Sequence, residues 1–204
     1  MKKMILFLLA VACTQMLCGQ TNNNHGSDIP LDTLRSHLCT EAEGDFNKDG
    51  ISDLAIIAKL DEEGNHVLGI YFGHQGGGYT CFRQYGDILP VVDSPDVILD
   101  CLMDVTPKGV LEISLSMFRS AGSYGAGKNT YKFRYQNGDF YLIGLDEDYY
   151  MRNTGEAQTD SYNYLTGKHQ HVTFNMFDDS VKKRETWRNI PRKPLRKLGS
   201  WEME

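Results

Sequence analysis

The residues best suited to bind a ligand lie in a short polar turn, residues 44–53 (GDFNKDGISD). Its oxygen-bearing side chains recur at alternate positions and again at its end, as Asp45, Asn47, Asp49 and Asp53. Alternate side chains of a coiled loop can point at one centre, and Gly50 gives the backbone the freedom that a tight turn needs. Hard oxygen ligands in this number suit Ca²⁺, which takes six to eight of them. We therefore predict a Ca²⁺ site at these four side chains, with the carbonyl oxygen of Ile51 as a further ligand.

The turn begins like an EF-hand loop, D-x-[DN]-x-[DN]-G, but it ends differently. When Asp45 is counted as position 1, position 12 is Ile56, where an EF-hand needs a bidentate glutamate. The residues that follow, 54–58 (LAIIA), are typical of a buried strand and not of a second helix. The turn instead resembles the FG-GAP or VCBS repeat, whose motif D-x-[DN]-x-D-G-x-x-D leads into an apolar strand.

This resemblance covers residues 42–85 and continues after the loop. Residues 68–73 (LGIYFG) and 76–79 (GGGY) are similar to the second strand and glycine turn of such a repeat. The family carries its motif in integrin-like propellers and in many exported bacterial proteins, where the loop usually braces the start of a strand. A propeller needs at least four blades, and the sequence contains no second copy of the motif. The resemblance thus implies a calcium loop but not a full propeller.

The elements that must position this loop are mostly strands. Period-two patterns and short apolar runs, separated by glycine or proline, predict nine of them: Leu54–Leu60, Val67–Phe72, Tyr79–Gln84, Ile98–Asp104, Val110–Arg119, Thr130–Tyr135, Phe140–Asp146, Thr159–Leu165 and His171–Phe177. Asn137-Gly138 is a strong hairpin signal, and the spacing of apolar residues over Leu31–Leu38 predicts one short helix. Because strands follow one another without room for crossover helices, we predict a mainly β fold with a mostly antiparallel sheet, either a sandwich or open and barrel-like.

The N-terminus predicts export. Two lysines precede a short apolar run, residues 4–12 (MILFLLAVA), which is typical of a secretory signal peptide. We predict a signal peptide at residues 1–19, a flexible leader at 20–29, a single β-rich domain at 30–190 and a basic C-terminal tail at 191–204. The protein would then act in the periplasm or on the outer surface of a Gram-negative bacterium. Alternatively, a lipobox-like sequence before Cys13 would make Cys13 a lipid anchor.

Charge and cysteine content restrict the partners. The 204 residues include 27 acidic and 21 basic ones, for a net charge of -6, so we expect no nucleic-acid partner. Eight basic residues and one acid nevertheless lie within Lys182–Lys197, a segment that would suit an anionic glycan or an envelope protein. The three cysteines after the signal region, Cys39, Cys81 and Cys101, permit one disulfide, but the sequence does not choose the pair.

Two other groups of residues have weaker patterns. His169 and His171 would share one face of a strand, which is a geometry that binds metals, but we expect a solvated turn there. Four acidic residues that no spacing pairs leave glycan hydrolysis open: Glu112, Asp139, Glu147 and Glu156. We therefore predict a calcium-binding β domain with a binding or structural role and no catalysis. The alternatives are a hydrolase of envelope or host glycans and a lipid-anchored component of an envelope assembly.

Overall fold

The computed structural model describes residues 28–61, 65–90, 97–119 and 121–200. The predicted signal peptide, Cys13, most of the predicted leader and the last four residues of the predicted tail lie outside the described residues. The described part of the chain forms one short helix and eleven strands: α1 (Leu31–Ser36), β1 (Leu38–Gly44), β2 (Asp53–Lys59), β3 (His66–Gly73), β4 (Tyr79–Gly86), β5 (Val97–Val105), β6 (Val110–Arg119), β7 (Gly125–Gln136), β8 (Asp139–Met151), β9 (Glu156–Asn163), β10 (Lys168–Asn175) and β11 (Arg184–Asn189).

The strands form two antiparallel sheets in which each strand pairs with its neighbours in the chain. The small sheet has the order β1-β2-β3-β4, and the large sheet has the order β11-β10-β9-β8-β7-β6-β5. Strands make up 60% of the structure and helix 4%. The predicted fold class, mainly β and antiparallel with one short helix, is confirmed.

The two sheets enclose the main hydrophobic core. Ile57 and Ile70 of the small sheet and Ile113 and Phe133 of the large sheet are fully buried in one cluster. The opposite face of the small sheet is covered by α1, whose Leu34 is fully buried in a second cluster. β2 is therefore buried on both faces, which explains why its sequence is continuously apolar and does not alternate.

Turn chemistry accounts for the strongest local prediction. Asn137 and Gly138 both have positive φ, 51° and 77°, and form the two-residue turn between β7 and β8. These values are those of a hairpin turn whose twist matches that of the flanking strands. The sequence missed two strands, β1 and β11, because both are edge strands that lack an apolar face toward the core.

The described part of the predicted basic tail packs against the start of β8. Leu198 is buried in the main core and its amide donates to the carbonyl oxygen of Phe140. The buried Asp139 carboxylate binds the Arg83 guanidinium at 3.0 Å and the Lys197 ammonium at 3.1 Å. This ion triad joins β4, β8 and the C-terminal segment at one end of the sandwich.

Candidate functional site

The predicted calcium loop connects β1 to β2. Gly44 and Asp53 are cross-strand partners at the two ends of the loop, so residues 45–52 form the hairpin connection of the small sheet. Lys48 and Gly50 have positive φ, 69° and 84°, and turn the chain into a compact coil. Only Gly50 adopts this conformation without the steric cost of a side chain. The local sequence therefore dictates the coil in which the predicted ligands lie.

Three of the predicted ligands have side chains that converge within this coil. The amide of Asp49 donates to Asp45 Oδ1 at 3.1 Å and to Asn47 Oδ1 at 2.9 Å, so these two oxygens share one N–H. The second oxygen of Asp45 accepts from the amide of Gly50 at 3.1 Å. Asn47 Nδ2 donates to Asp49 Oδ2 at 3.0 Å, which links the third side chain to the group.

The fourth predicted ligand, Asp53, points into the protein. It is fully buried, and its Oδ2 accepts from the amide of Phe46 at 2.8 Å while its Oδ1 accepts from the amide of Gly73 at 3.0 Å. A Cβ at Gly73 would lie 2.1 Å from the carbonyl oxygen of Ser52, so only glycine permits this close approach. Asp53 thereby joins the loop to β3.

The electrostatics of Asp53 follow from this position. Burial raises the pKa of its carboxyl group, and the negative charge of Asp49 adds to the rise, whereas the amide hydrogen bonds from Gly73 and Phe46 oppose it. The Phe46 ring is buried in the main core and contacts the Phe140 ring edge-on, with centroids 5.6 Å apart. The Phe46 ring and the Asp53 carboxylate thus both anchor the loop in the protein interior.

The donor set of the loop fits a hard cation in chemistry. Asp45, Asn47 and Asp49 supply carboxylate and amide oxygens from one exposed coil, and each oxygen has more than one lone pair. All four predicted side chains accept from backbone amides, and Asp45 and Asp53 do so through both carboxylate oxygens. Asp53 differs from the other three in being fully buried. Among the residues that the structure describes, no group of three or more His, Cys, Asp or Glu side chains is arranged to hold a metal ion. The Ca²⁺ site stays a prediction.

A second polar cluster lies on the large sheet. His169 and His171 belong to β10, and His169 is only 3% exposed, so our expectation of a solvated turn is wrong. Asp160 of β9 accepts from both rings at a single oxygen, Oδ1, at 2.6 Å from His169 Nε2 and 2.9 Å from His171 Nδ1. Arg188 of the missed strand β11 donates from Nε to His169 Nδ1 at 2.6 Å.

These contacts fix the tautomer of the buried ring. Arginine is a donor only, so His169 Nδ1 must accept and the ring proton must lie on Nε2, facing Asp160. Tyr162 stacks on the same ring with centroids 4.4 Å apart, and its phenol hydrogen-bonds Glu147. Burial, Glu147 and Asp160 together raise the pKa of Tyr162, so its hydroxyl stays a proton donor.

Two cavities lie on the same face of the large sheet as this cluster, and Asp160 lines the first of them. One has a volume of about 620 Å³ and is lined by Glu147 and Asp160, and the other has a volume of about 640 Å³ and is lined by Lys182 and Arg184. Tyr149 lines both. Both volumes are in the range of about 300–1,000 Å³ that is typical of small-molecule sites.

A single cross-strand row joins the two cavities. In the register of the large sheet, one residue from each strand lies directly opposite the next, and every member of this row lines one cavity or both: Leu99, Met117, Gly127, Tyr149, Gln158, Thr173 and Arg184. Directly opposite residues share a face of a sheet. We call the two cavities and this row the cleft.

The predicted basic segment is partly engaged within the fold. Arg188 binds His169, Arg192 donates to the carbonyl oxygen of Thr166, and Lys197 binds Asp139. Lys182 and Arg184 line the second cavity, and no ion pair to either is found among the described residues. The sequence could not indicate which of these basic residues bind within the fold and which line the cavity, because this depends on the pairing of β10 with β11.

The remaining predicted features have simple positions. Cys39, Cys81 and Cys101 form no disulfide in the part of the chain that the structure describes, and burial raises the pKa of Cys101 to about 12. No helix within the described ranges is long and apolar enough to cross a membrane.

Comparison with protein-family models, with curated proteins and with solved structures found no match. The resemblance of residues 42–85 to an FG-GAP or VCBS repeat accordingly rests on the motif alone.

Proposed function

We propose that this protein is an exported β domain that binds Ca²⁺ through the loop at residues 45–53 and has a binding or structural role without catalysis. The observation that supports it is the convergence of Asp45 and Asn47 oxygens on the single amide of Asp49. Asp45, Asn47, Asp49 and Asp53 would hold the ion, and the Ile51 carbonyl would be a further ligand. Bound Ca²⁺ would neutralise neighbouring carboxylates and brace the start of β2, as the FG-GAP-like motif implies.

Thermal unfolding of the purified protein in excess Ca²⁺ and in excess chelator tests this proposal. An ion that binds only the folded state stabilises it by about 2.7 kcal/mol at a hundred times Kd. For a chain of this size we expect the midpoint to rise by about 5–11 °C. Mg²⁺ should substitute poorly because it prefers a tighter octahedron and keeps its waters.

A matched pair of variants locates the effect. Asp49→Ala removes a central oxygen of the loop and should abolish most of the response to Ca²⁺. Asp100→Ala removes an exposed carboxylate from β5 and should leave the response intact. Identical melting curves in Ca²⁺ and in chelator would show that the loop is an ordinary acidic turn.

Glycan hydrolysis is a second candidate function that one observation favours. Glu147 and Asp160 are directly opposed across β8 and β9, and both line the first cavity. Directly opposed residues have Cβ atoms about 4.5–5.5 Å apart, which is compatible with a pair of catalytic carboxylates. Release of reducing ends from envelope or host glycans, and its loss in Glu147→Gln, would support this function over a purely binding role.

The cellular location and partners belong to the same proposal. Export to the periplasm or outer surface would follow from the signal peptide predicted at residues 1–19, and a lipid anchor from Cys13. The mass of the mature N-terminus distinguishes soluble export from a lipid-anchored component of an envelope assembly. An envelope protein or an anionic glycan is the partner we propose for Lys182–Lys197, with Lys182 and Arg184 as its accessible cations.

A further inference from the structure

The Tyr149 side chain extends over β7 at the centre of the cleft. A Cβ added at Gly125 would lie 2.6 Å from the Tyr149 hydroxyl oxygen and 3.2 Å from the neighbouring ring carbons. A Cβ added at Gly127 would lie 3.8 Å from Cδ2 of the same ring, on the side nearer the backbone. Because β7 carries no side chain at these two positions, the ring rests against the strand. It is 46% exposed, so its outer side is open to the cleft.

The floor of the cleft can recognise a ligand only through side chains. The central strands β6 to β10 are hydrogen-bonded to neighbours on both sides, so their backbone groups are used within the sheet. Peptides that add to a sheet need a free edge, which in the large sheet is β5 or β11. An extended peptide would therefore lose the main-chain hydrogen bonds from which this mode of binding derives its affinity.

The polar groups of the first cavity define the complementary chemistry. Glu147 and Asp160 are acceptors when ionised, and Gln158 adds an amide that both donates and accepts. Within the described residues, Asp160 uses only Oδ1 for its two histidine contacts, so Oδ2 keeps its lone pairs. Such acceptors favour a ligand rich in hydroxyl donors.

We propose that the cleft binds an oligosaccharide, with one sugar ring seated on Tyr149 and its neighbours hydrogen-bonded to the side chains of the two cavities. A sugar ring presents an apolar C–H face to an aromatic ring and hydroxyl groups at its rim, which matches a cleft of this composition. Six inter-strand spacings separate β5 from β11, a distance of about 29 Å, which suits a chain of sugars better than a monosaccharide. This inference rests on the proposed binding role but not on the calcium loop.

A glycan array probed with the fluorescently labelled protein, followed by calorimetry with the best-bound tetrasaccharide, tests this inference. Tyr149→Ala should weaken binding at least tenfold, whereas Tyr149→Phe should keep most of the affinity because it keeps the ring. Gly125→Ala deletes no polar group but displaces the ring, so it should also weaken binding. Tyr124→Ala is the control, since Tyr124 is 59% exposed and does not line the cleft.

The outcomes separate this inference from the calcium proposal. Binding in both Ca²⁺ and chelator, lost in Tyr149→Ala and Gly125→Ala and kept in Tyr124→Ala, supports the cleft whatever the loop does. Absence of any bound glycan in either condition overturns it. Binding that Tyr149→Ala leaves unchanged, while circular dichroism shows all variants folded, also overturns it. So does selection of peptides rather than glycans from a displayed peptide library.

Discussion

Replacing Asp53 with asparagine separates the structural role of this residue from the predicted role as a calcium ligand. Both carboxylate oxygens accept from backbone amides, Oδ2 from Phe46 at 2.8 Å and Oδ1 from Gly73 at 3.0 Å. The side chain of asparagine has one acceptor oxygen and one NH₂ donor. In Asp53→Asn one of these two backbone N–H groups must therefore face a donor and lose its partner.

The size of the effect follows from burial. Asp53 is 0% exposed, so water cannot reach the orphaned amide. An unsatisfied buried donor costs about 1–3 kcal/mol. The free energy of unfolding should fall by that amount, and the thermal midpoint by about 2–4 °C for each kcal/mol in a chain of this size.

Urea unfolding in excess chelator measures this loss without a contribution from Ca²⁺. Asp53→Asn should be destabilised in chelator as well as in Ca²⁺. Asp49→Ala loses only exposed hydrogen bonds of the same loop, so in chelator it should be less destabilised than Asp53→Asn, and most of its effect should be seen in Ca²⁺. If Asp53→Asn equals the wild type in chelator, the carboxylate does not hold the loop to β3 and our account of Asp53 is wrong.

The pH dependence offers an independent measurement of the same group. Burial raises the pKa of Asp53 in the folded protein, so between its ordinary value and this raised value the folded state binds the proton more strongly than the unfolded state. The contribution of Asp53 to stability is therefore greatest below its ordinary pKa and declines as pH rises through the folded pKa. Asp53→Asn should remove this decline, which a comparison of urea midpoints across the acidic range would detect.

Three further predictions concern other buried groups. Arg188→Ala should leave His169 Nδ1 without its donor, lowering the free energy of unfolding by about 1–3 kcal/mol, and nitrogen-15 NMR of the wild type should show the Nε2-protonated tautomer. Asp139→Asn should leave Arg83 poorly compensated and cost about 3–5 kcal/mol in urea unfolding, whereas Lys197→Ala, at the exposed end of the triad, should have a smaller effect. Cys101, with a pKa of about 12, is thiolate in only about one molecule in ten thousand at pH 8, so a thiol reagent should label the exposed Cys39 first and Cys101 only after unfolding.

The sequence predicts most of the fold because local signals agree with it. Period-two segments correspond to nine of the eleven strands, and the Asn137-Gly138 turn pairs β7 with β8 as expected. Strands extend beyond their apolar parts, since β7 begins at Gly125 whereas the sequence predicted its start at Thr130. Gly125 and Gly127 belong to the strand because they pair with Met151 and Tyr149 of β8. The Tyr149 ring occupies the space that a side chain at either position would need.

The second polar cluster could not be predicted because it depends on a strand without an apolar pattern. All six residues of β11 are exposed, and its sequence, RETWRN, has no alternation of apolar and polar residues. Without β11 there is no partner to hold Arg188 against His169, and a His-x-His sequence then indicates only a solvated turn. The alternation of His169 and His171 placed them correctly on one face, but their burial depends on this tertiary contact.

The difference in strand length between the sheets explains why the cleft exists and where it lies. The strands of the small sheet have 7 or 8 residues, whereas β7 and β8 have 12 and 13. The predicted calcium loop lies beside the β5–β6 turn, since a Cβ at Gly109 would meet the carbonyl oxygen of Asp45. Gly125 and Tyr149 lie at the other end of β7 and β8, beyond the part of the large sheet where Phe133 and Ile113 are buried in the main core. The loop, which belongs to the small sheet, and the cleft, which lies on the large sheet, thus occupy opposite ends of the sandwich. Ca²⁺ should therefore raise the stability of the fold and leave glycan affinity unchanged, provided that the protein is folded both with and without the ion. Coupling between two sites requires an element with two conformations that both ligands bias, and the described residues form no such element between the loop and the cleft.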